Sequence, residues 1–143
     1  MNPNHAELER LTVREPQPLV GPPLASVAFR FDIVVEGRAG SVLGASGQPY
    51  ALTVSAFDFT AGTNPHSTDN AFTQKRVESF DLAHGWPDKV ATFTVAVRDP
   101  DLVDGHLLKY FATLVSPNQI TSFVESPVFL LHFQAPSRWS GRG

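Results

Sequence analysis

Cysteine is absent from all 143 residues, which at once excludes disulfides, thiolate nucleophiles and cysteine-ligated metal centres. Charge is scarce as well. Asp, Glu, Lys and Arg make up 17% of the chain, where about 25% is usual, so more surface than usual is expected to be covered. The eleven Lys and Arg are scattered under a net charge of −3, which argues against a broadly basic nucleic-acid footprint. No apolar run approaches the roughly 20 residues that cross a bilayer. The start, Met1 to Glu7, offers neither a basic n-region nor an apolar h-region, so no secretory signal is expected and the compartment stays open.

Motifs of catalysis are missing too. There is no Gly-x-Ser-x-Gly elbow, since Gly44-Ala-Ser46-Gly47 departs from that pattern and sits in a turn. Neither a phosphate-cradling Gly-x-x-x-x-Gly-Lys nor a dinucleotide-binding Gly-x-Gly-x-x-Gly occurs. None of His5, His66, His84, His106 and His132 has the spacing of a zinc motif. His84 and His106 flank one long segment and would need to meet in space, with Asp88, to act as a catalytic pair. His132 lies in an apolar strand, where a satisfied, partly buried histidine is the ordinary outcome. No cofactor, metal or catalytic residue is assigned on these grounds.

Strand signals are what the chain does have. Val27, Phe29, Phe31, Ile33 and Val35 share one parity in Ser26 to Glu36, with Arg30 and Asp32 on the other. Tyr50, Leu52, Val54 and Ala56 repeat the pattern, after which Phe57 and Phe59 fall on the opposite parity, a flip that predicts a bulge. Gly37, Gly40, Gly44 and Gly47 mark turns around Ser41 to Leu43. Further strands are expected over Phe72 to Leu82, Val90 to Val97, His106 to Val115, Ile120 to Val124 and Val128 to Phe133. The longest polar loop is Thr60 to Asn70, and Trp86 stands beside Pro87 in a turn.

Seven or eight short strands between Gly, Pro, Asn and Asp turns imply an all-β fold: a single antiparallel β-sandwich, immunoglobulin-like or jelly-roll-like. Residues 1–25 form an extended Pro-rich arm, 26–134 the sandwich and 135–143 a C-terminal tail. Within the arm, Asn4 and Glu7 have the spacing of a capping box, which would set Leu8 and Leu11 on one side of a short helical turn. Pro16, Pro18, Pro22 and Pro23 then enforce an extended path. Leu11, Val13, Leu19 and Val20 give this arm apolar teeth, for its own domain or for a neighbouring subunit.

The stretch from Val90 through Phe93, Val95 and Val97, the acidic turn ending Asp104-Gly105, and then Tyr110 resembles the E-to-F corner of immunoglobulin-like sandwiches. The resemblance implies an architecture. In the turn, Asp99, Asp101 and Asp104 are candidate calcium ligands, although an acidic inter-strand corner has the same composition for backbone reasons.

The strongest signal lies in the last strands. A half-solvated sheet should alternate apolar with polar. From Leu107 to Val115, Leu108, Tyr110, Ala112 and Leu114 share one face, while Leu107, Phe111 and Val115 share the other. In Val128 to Phe133 both faces are again apolar. Something must cover the second face. The leading expectation is therefore a non-enzymatic structural subunit of a homomeric assembly, such as a capsid decoration or tail protein of a virus or phage, or a filament subunit. Its expected partner contacts are Leu11, Val13, Leu19, Val20, Trp86 and Trp139, and no nucleic-acid or membrane partner is expected. The alternative is a binding module that recognises a glycan or protein through the 60–70 loop and Trp86, with Tyr50, Tyr110 and Trp139 as further stacking surfaces.

Overall fold

A computed structural model describes residues 3–14, 17–18, 29–65, 72–97, 105–116 and 121–131. The strands are β1 (Ala6–Val13), β2 (Gln17–Pro18), β3 (Phe29–Ala39), β4 (Pro49–Asp58), β5 (Gln74–Ser79), β6 (Asp88–Val97), β7 (His106–Val115), β8 (Thr121–Glu125) and β9 (Phe129–Leu131). They form two antiparallel sheets that pack face to face, an all-β sandwich.

In the first sheet β6 pairs with β3 along residues 29–38, so β1 and β2 must share the opposite edge of β3, where they act as one broken strand. In the second, β5 pairs β4 and β4 pairs β7, and the free edge of β7 takes β8 and then β9. The links from β3 to β4, β5 to β6 and β6 to β7 pass between sheets. Counting each broken strand once, the described residues set three strands against four, connected as in an immunoglobulin-like sandwich rather than an eight-stranded jelly roll. β6 and β7 lie in opposite sheets, as an E-to-F corner requires. The corner itself (98–104), with Asp99, Asp101 and Asp104, lies outside the described residues.

The period of two builds the core. Phe31, Ile33 and Val35 from β3 and Phe93, Val95 and Val97 from β6 face Leu52 and Val54 of β4 and Leu108, Tyr110 and Leu114 of β7, all buried. Each such large apolar side chain contributes about 1.5–3 kcal/mol on burial. Phe31 meets Tyr110 edge to face at 6.1 Å, and Tyr110 donates its hydroxyl proton to the Phe72 carbonyl at 3.0 Å.

Four local expectations are corrected. Residues 6–13 form strand β1, not a helical turn, and the expected boundary at residue 25 therefore cuts through the first sheet. β1 carries a register shift between Leu8 and Arg10. That bulge places Leu8 and Leu11, three apart, on the same buried face, a spacing a helical turn would also give. Gly37 lies inside β3 rather than in a turn: a Cβ there would come within 3.2 Å of Leu8 Cδ2 and 3.5 Å of the Trp86 ring. Finally, β4 has no bulge near Phe57. Its alternation runs through Asp58, which takes the inward place while Phe57 and Phe59 point out.

The segment around Ser41 to Leu43 resolves into a single 3-10 turn, Leu43–Ala45. Strand β5 is shorter than expected. Asp81 caps the next 3-10 turn, Leu82–His84, and Gly85 closes it at φ 92°, a backbone that L side chains rarely adopt.

Candidate interaction surface

The outer faces of the two sheets differ in kind. On the β3–β6 sheet, the outer face is mainly polar, with Arg10 against Glu36 at 2.7 Å, Arg38 against Asp88 at 3.4 Å and Thr94 donating to Asp32 at 2.9 Å, although Val90 stands exposed among them opposite Glu36. Such pairs solvate a sheet face and hold register. Burial has little hold on them. The hydrogen-bonded Arg10 guanidinium keeps the Glu36 carboxyl below its ordinary range despite the small opposing pull of desolvation.

The outer face of the second sheet is apolar. Its register sets Val77 of β5 beside Ala51 of β4, Ala51 beside Val115 of β7, Ser55 beside Phe111, and Phe57 beside Lys109. Across the β7 edge, Thr113 faces Phe123 of β8 and Leu107 faces Leu130 of β9. Phe111 stacks on Phe123 at 5.9 Å, and Phe57 meets Phe59 edge to face at 5.1 Å. Phe59, Phe123 and Leu130 remain 50%, 55% and 58% exposed, and Val77, Leu107 and Val115 are exposed with them. Single exposed apolar residues are normal, but a contiguous patch marks an interaction surface. Of the charges here, Lys109 and Glu125 pair with each other at 2.7 Å, with Lys109 over the Phe111 ring at 6.0 Å, and Lys75 stands exposed on β5 opposite Thr53.

Two polar clusters lie at opposite ends of β4. At one end of the sandwich, Asp58 is almost fully buried. Its Oδ1 accepts the amides of Thr60 and Ala61, both at 3.0 Å, and its Oδ2 lies 2.6 Å from His106 Nδ1. The Thr60 hydroxyl accepts the Leu107 amide at 2.9 Å. The carboxylate thus ties the turn after β4 to the start of β7, and its oxygens are spent on that turn and on His106. At the other end, Tyr50 donates to Glu78 at 2.7 Å and accepts the Trp86 indole N–H at 3.0 Å, while Lys89 donates to Glu78 at 2.9 Å and to the His84 carbonyl. Burial pushes the Glu78 carboxyl up, but the bonds from Lys89 and Tyr50 outweigh it and hold it below the usual range. Burial, then the Glu78 carboxylate, push the Tyr50 hydroxyl well above its ordinary value.

These clusters separate the histidines. His84 pairs with Asp81 at 2.8 Å and His106 with Asp58. Tyr50 and Asp58 mark the two ends of β4, about 27 Å apart at roughly 3.4 Å per residue over eight residues, so His84 and His106 do not meet as a catalytic pair would require. Among the described residues no three His, Asp or Glu side chains converge as a metal site.

Of the expected partner contacts, Leu11 is buried in the chain's own core, while Val13 packs against that core and stays half-buried. Trp86 is 1% exposed, wedged between Tyr50 and Phe80 at 5.6 and 4.9 Å. It is no stacking platform, and Tyr50 and Tyr110 are buried likewise. Leu19, Val20, Trp139, His66, His132 and positions 66–70 of the polar loop lie outside the described residues. The doubly apolar pattern of Leu107 to Val115 did point to the exposed face, whereas Phe57, Phe59 and Phe123 were read only as strand or turn.

No family model matches the chain, and no curated protein matches its sequence. Among solved structures it is similar to a putative beta-galactosidase from Bacteroides fragilis, with TM-score 0.57 and 11% identity over 91% of this chain and 20% of that one. It is also similar to a DUF4466 family protein from Parabacteroides merdae, with TM-score 0.52 and 8% identity over 90% of this chain and 45% of that one. The chain spans a fifth and under half of these proteins. At such identities the likeness shows the β-sandwich alone.

Proposed function

We propose that this chain is a non-enzymatic structural module that assembles with copies of itself through the outer face of its β5–β4–β7–β8 sheet. The supporting observation is the contrast between the two outer faces, one laced with ion pairs and one studded with exposed Phe, Leu and Val. Two ten-residue central strands in a sheet four strands wide project on the order of 600 Å², near the roughly 800 Å² each partner gives to a standard interface. The Lys109–Glu125 pair sits within this face already neutralised, and Lys75 lies out on the β5 edge strand, so the centre of the face offers a second copy little unpaired charge. A virus or phage particle, or a filament, is the setting expected from the sequence, by analogy with other small sandwiches.

The test is oligomeric state. Light scattering and sedimentation of the purified chain should show self-association, and a Phe123→Glu, Leu130→Lys double variant should be monomeric with an unchanged circular-dichroism spectrum. A wild-type chain that stays monomeric at about 1 mM, where an association free energy of only about −4 kcal/mol would already show dimer, would sink the proposal. A second reading has support in the coverage of the solved structures, where the matched sandwich is one part of a longer chain: the same face would then pack against another domain. Electron microscopy of the native sample separates a particle or filament from a dimer.

A further inference from the structure

A two-sheet sandwich has two lateral seams, and in this one they are finished differently. Along the β5–β6 seam, Gln74 donates to the Thr94 carbonyl at 2.8 Å, Arg76 donates to the Thr92 carbonyl, and the Arg76 guanidinium lies 4.1 Å from the centre of the Phe93 ring. Side chains of one sheet thus satisfy the free edge of the other and cover the core. Edges closed in this way do not accept further strands.

Along the β1–β8 seam, the described residues show one such tie, the Leu8 amide donating to Ser122 Oγ at 2.8 Å. Beyond it the edges enclose a groove of about 500 Å³, with Leu11 and Val13 on one wall and Val124 and Phe129 on the other. Three hydrophobic residues pack on the core while only partly buried: Val13, Val124 and Phe129. All three line this groove. Among the described residues the core is therefore incomplete along this seam.

The backbone sets what would complete it. The Arg14 amide donates to Asp32 of β3 at 2.8 Å, so by the two-residue period the amides and carbonyls of Leu11 and Val13 turn towards the groove. Opposite, the Ser126 amide donates to Tyr110 at 2.9 Å, which by the same period turns the backbone of Phe123 and Glu125 towards it from β8. An apolar floor flanked on both sides by outward-facing strand backbone suits a polypeptide strand better than a lipid chain, which has no N–H or C=O to offer. On the rim, Glu9 makes no hydrogen bond or ion pair among the described residues and feels only the longer-range attraction of Arg10, which is held by Glu36, while Glu125 is paired with Lys109. The rim favours a cationic guest.

We infer that the β1–β8 seam is an acceptor for an extended peptide segment of a partner protein, apolar at alternate positions and carrying a basic residue. The guest's apolar side chains cover Val13, Val124 and Phe129, its backbone pairs with an edge, and its basic residue meets Glu9. This site is on the side of the sandwich, separate from the sheet face through which the chain is proposed to self-assemble.

The probe is a ten-residue peptide of valine alternating with lysine and threonine, titrated into the full chain with amide resonances followed by NMR. Shifts should concentrate at Leu11, Val13 and Glu125. N-methylation of the peptide amides that would face the protein edge should weaken binding at least tenfold, and Glu9→Lys about threefold at low salt. The inference is overturned by no shift at millimolar peptide, by equal binding of the N-methylated peptide, by a dodecyl chain binding as well as the peptide, or by release of this chain's own residues 132–143 as the peptide binds. Oligomeric state measured on the same samples keeps the two proposals apart, because a Val77→Glu, Val115→Lys variant, altered on the sheet face away from the groove, should lose self-association and bind the peptide as the wild type does.

Discussion

Replacing Trp86 distinguishes a core anchor from a surface platform. The indole is the largest of the fully buried side chains, it packs on Phe80 and Tyr50, and its ring tip reaches the Gly37 backbone in β3. Truncating a buried Trp to Ala costs about 3–5 kcal/mol through lost transfer energy and the cavity left behind. The lost N–H bond adds little, because the Tyr50 hydroxyl keeps Glu78 as a partner. Trp86→Phe should cost less, about 1–2 kcal/mol, since a ring still fills part of the site. A surface platform would lie within about 0.5 kcal/mol of wild type. Urea unfolding followed by far-ultraviolet circular dichroism reads the difference without relying on the fluorophore that has been removed. With a slope of about 1–3 kcal/mol per molar, the Ala variant should lose at least about 1 M in midpoint. A Trp86→Ala protein within about 1 kcal/mol of wild type would refute the placement of this side chain and the packing argument built on it.

Two further outcomes follow from the polar clusters. Asp58→Ala leaves the Thr60 and Ala61 amides and His106 without their acceptor, and because bonds to a charged group are each worth about 1.5–3 kcal/mol, a loss of about 3–5 kcal/mol is expected in thermal or urea unfolding. Asp58→Asn, which keeps one oxygen, should lose less than half of that, and equal stability of the two variants would count against the turn's dependence on this carboxylate. The Tyr50–Glu78 pair gives opposite pH limits. Glu78 titrates lower in the folded chain than its unfolded value of about 4.3, so its contribution is fully present above that pH and is lost as pH falls through the depressed folded value. Tyr50 titrates higher than its unfolded value of about 10, so its contribution is present below pH 10 and is lost as pH rises towards the folded value. Urea midpoints across pH should fall at both ends, and Glu78→Gln should flatten the acid limb; an unchanged acid limb would remove Glu78 from its cause.

The fold class was legible because it rests on local parity. Phe31, Ile33 and Val35, or Leu108, Tyr110 and Leu114, declare an inward face from their spacing alone, and the structure buries them all. Parity fails where a polar residue takes an inward place. Asp58 continues the β4 alternation, but an apolar count skips it and sees Phe57 and Phe59 change phase. What permits a buried carboxylate there is a turn that offers two amides and a histidine from β7, forty-eight positions along the chain. A bulge deceives in the opposite sense. By placing Leu8 and Leu11 on one face of β1 it imitates the spacing of a helix, and the Asn4–Glu7 pair then completes a false capping box.

The candidate surfaces divide along the same line. The apolar outer face was partly visible because β7 shows both its faces in sequence, Leu107, Phe111 and Val115 against Leu108, Tyr110 and Leu114. Its extension over Phe57, Phe59 and Phe123 depends on strand order, which no local pattern carries. Trp86 shows the limit most clearly: beside a proline in a turn it has the sequence profile of an exposed ring, yet the room it occupies is made by Gly37 from another strand and its N–H is met by Tyr50 from the other sheet. The seams are less legible still, because an edge is defined by what does not pair with it. Gln74 and Arg76 read as ordinary polar strand residues until β6 is set beside them, and only then does the opposite edge, tied among the described residues by Leu8 and Ser122, stand out as a place where a further strand fits.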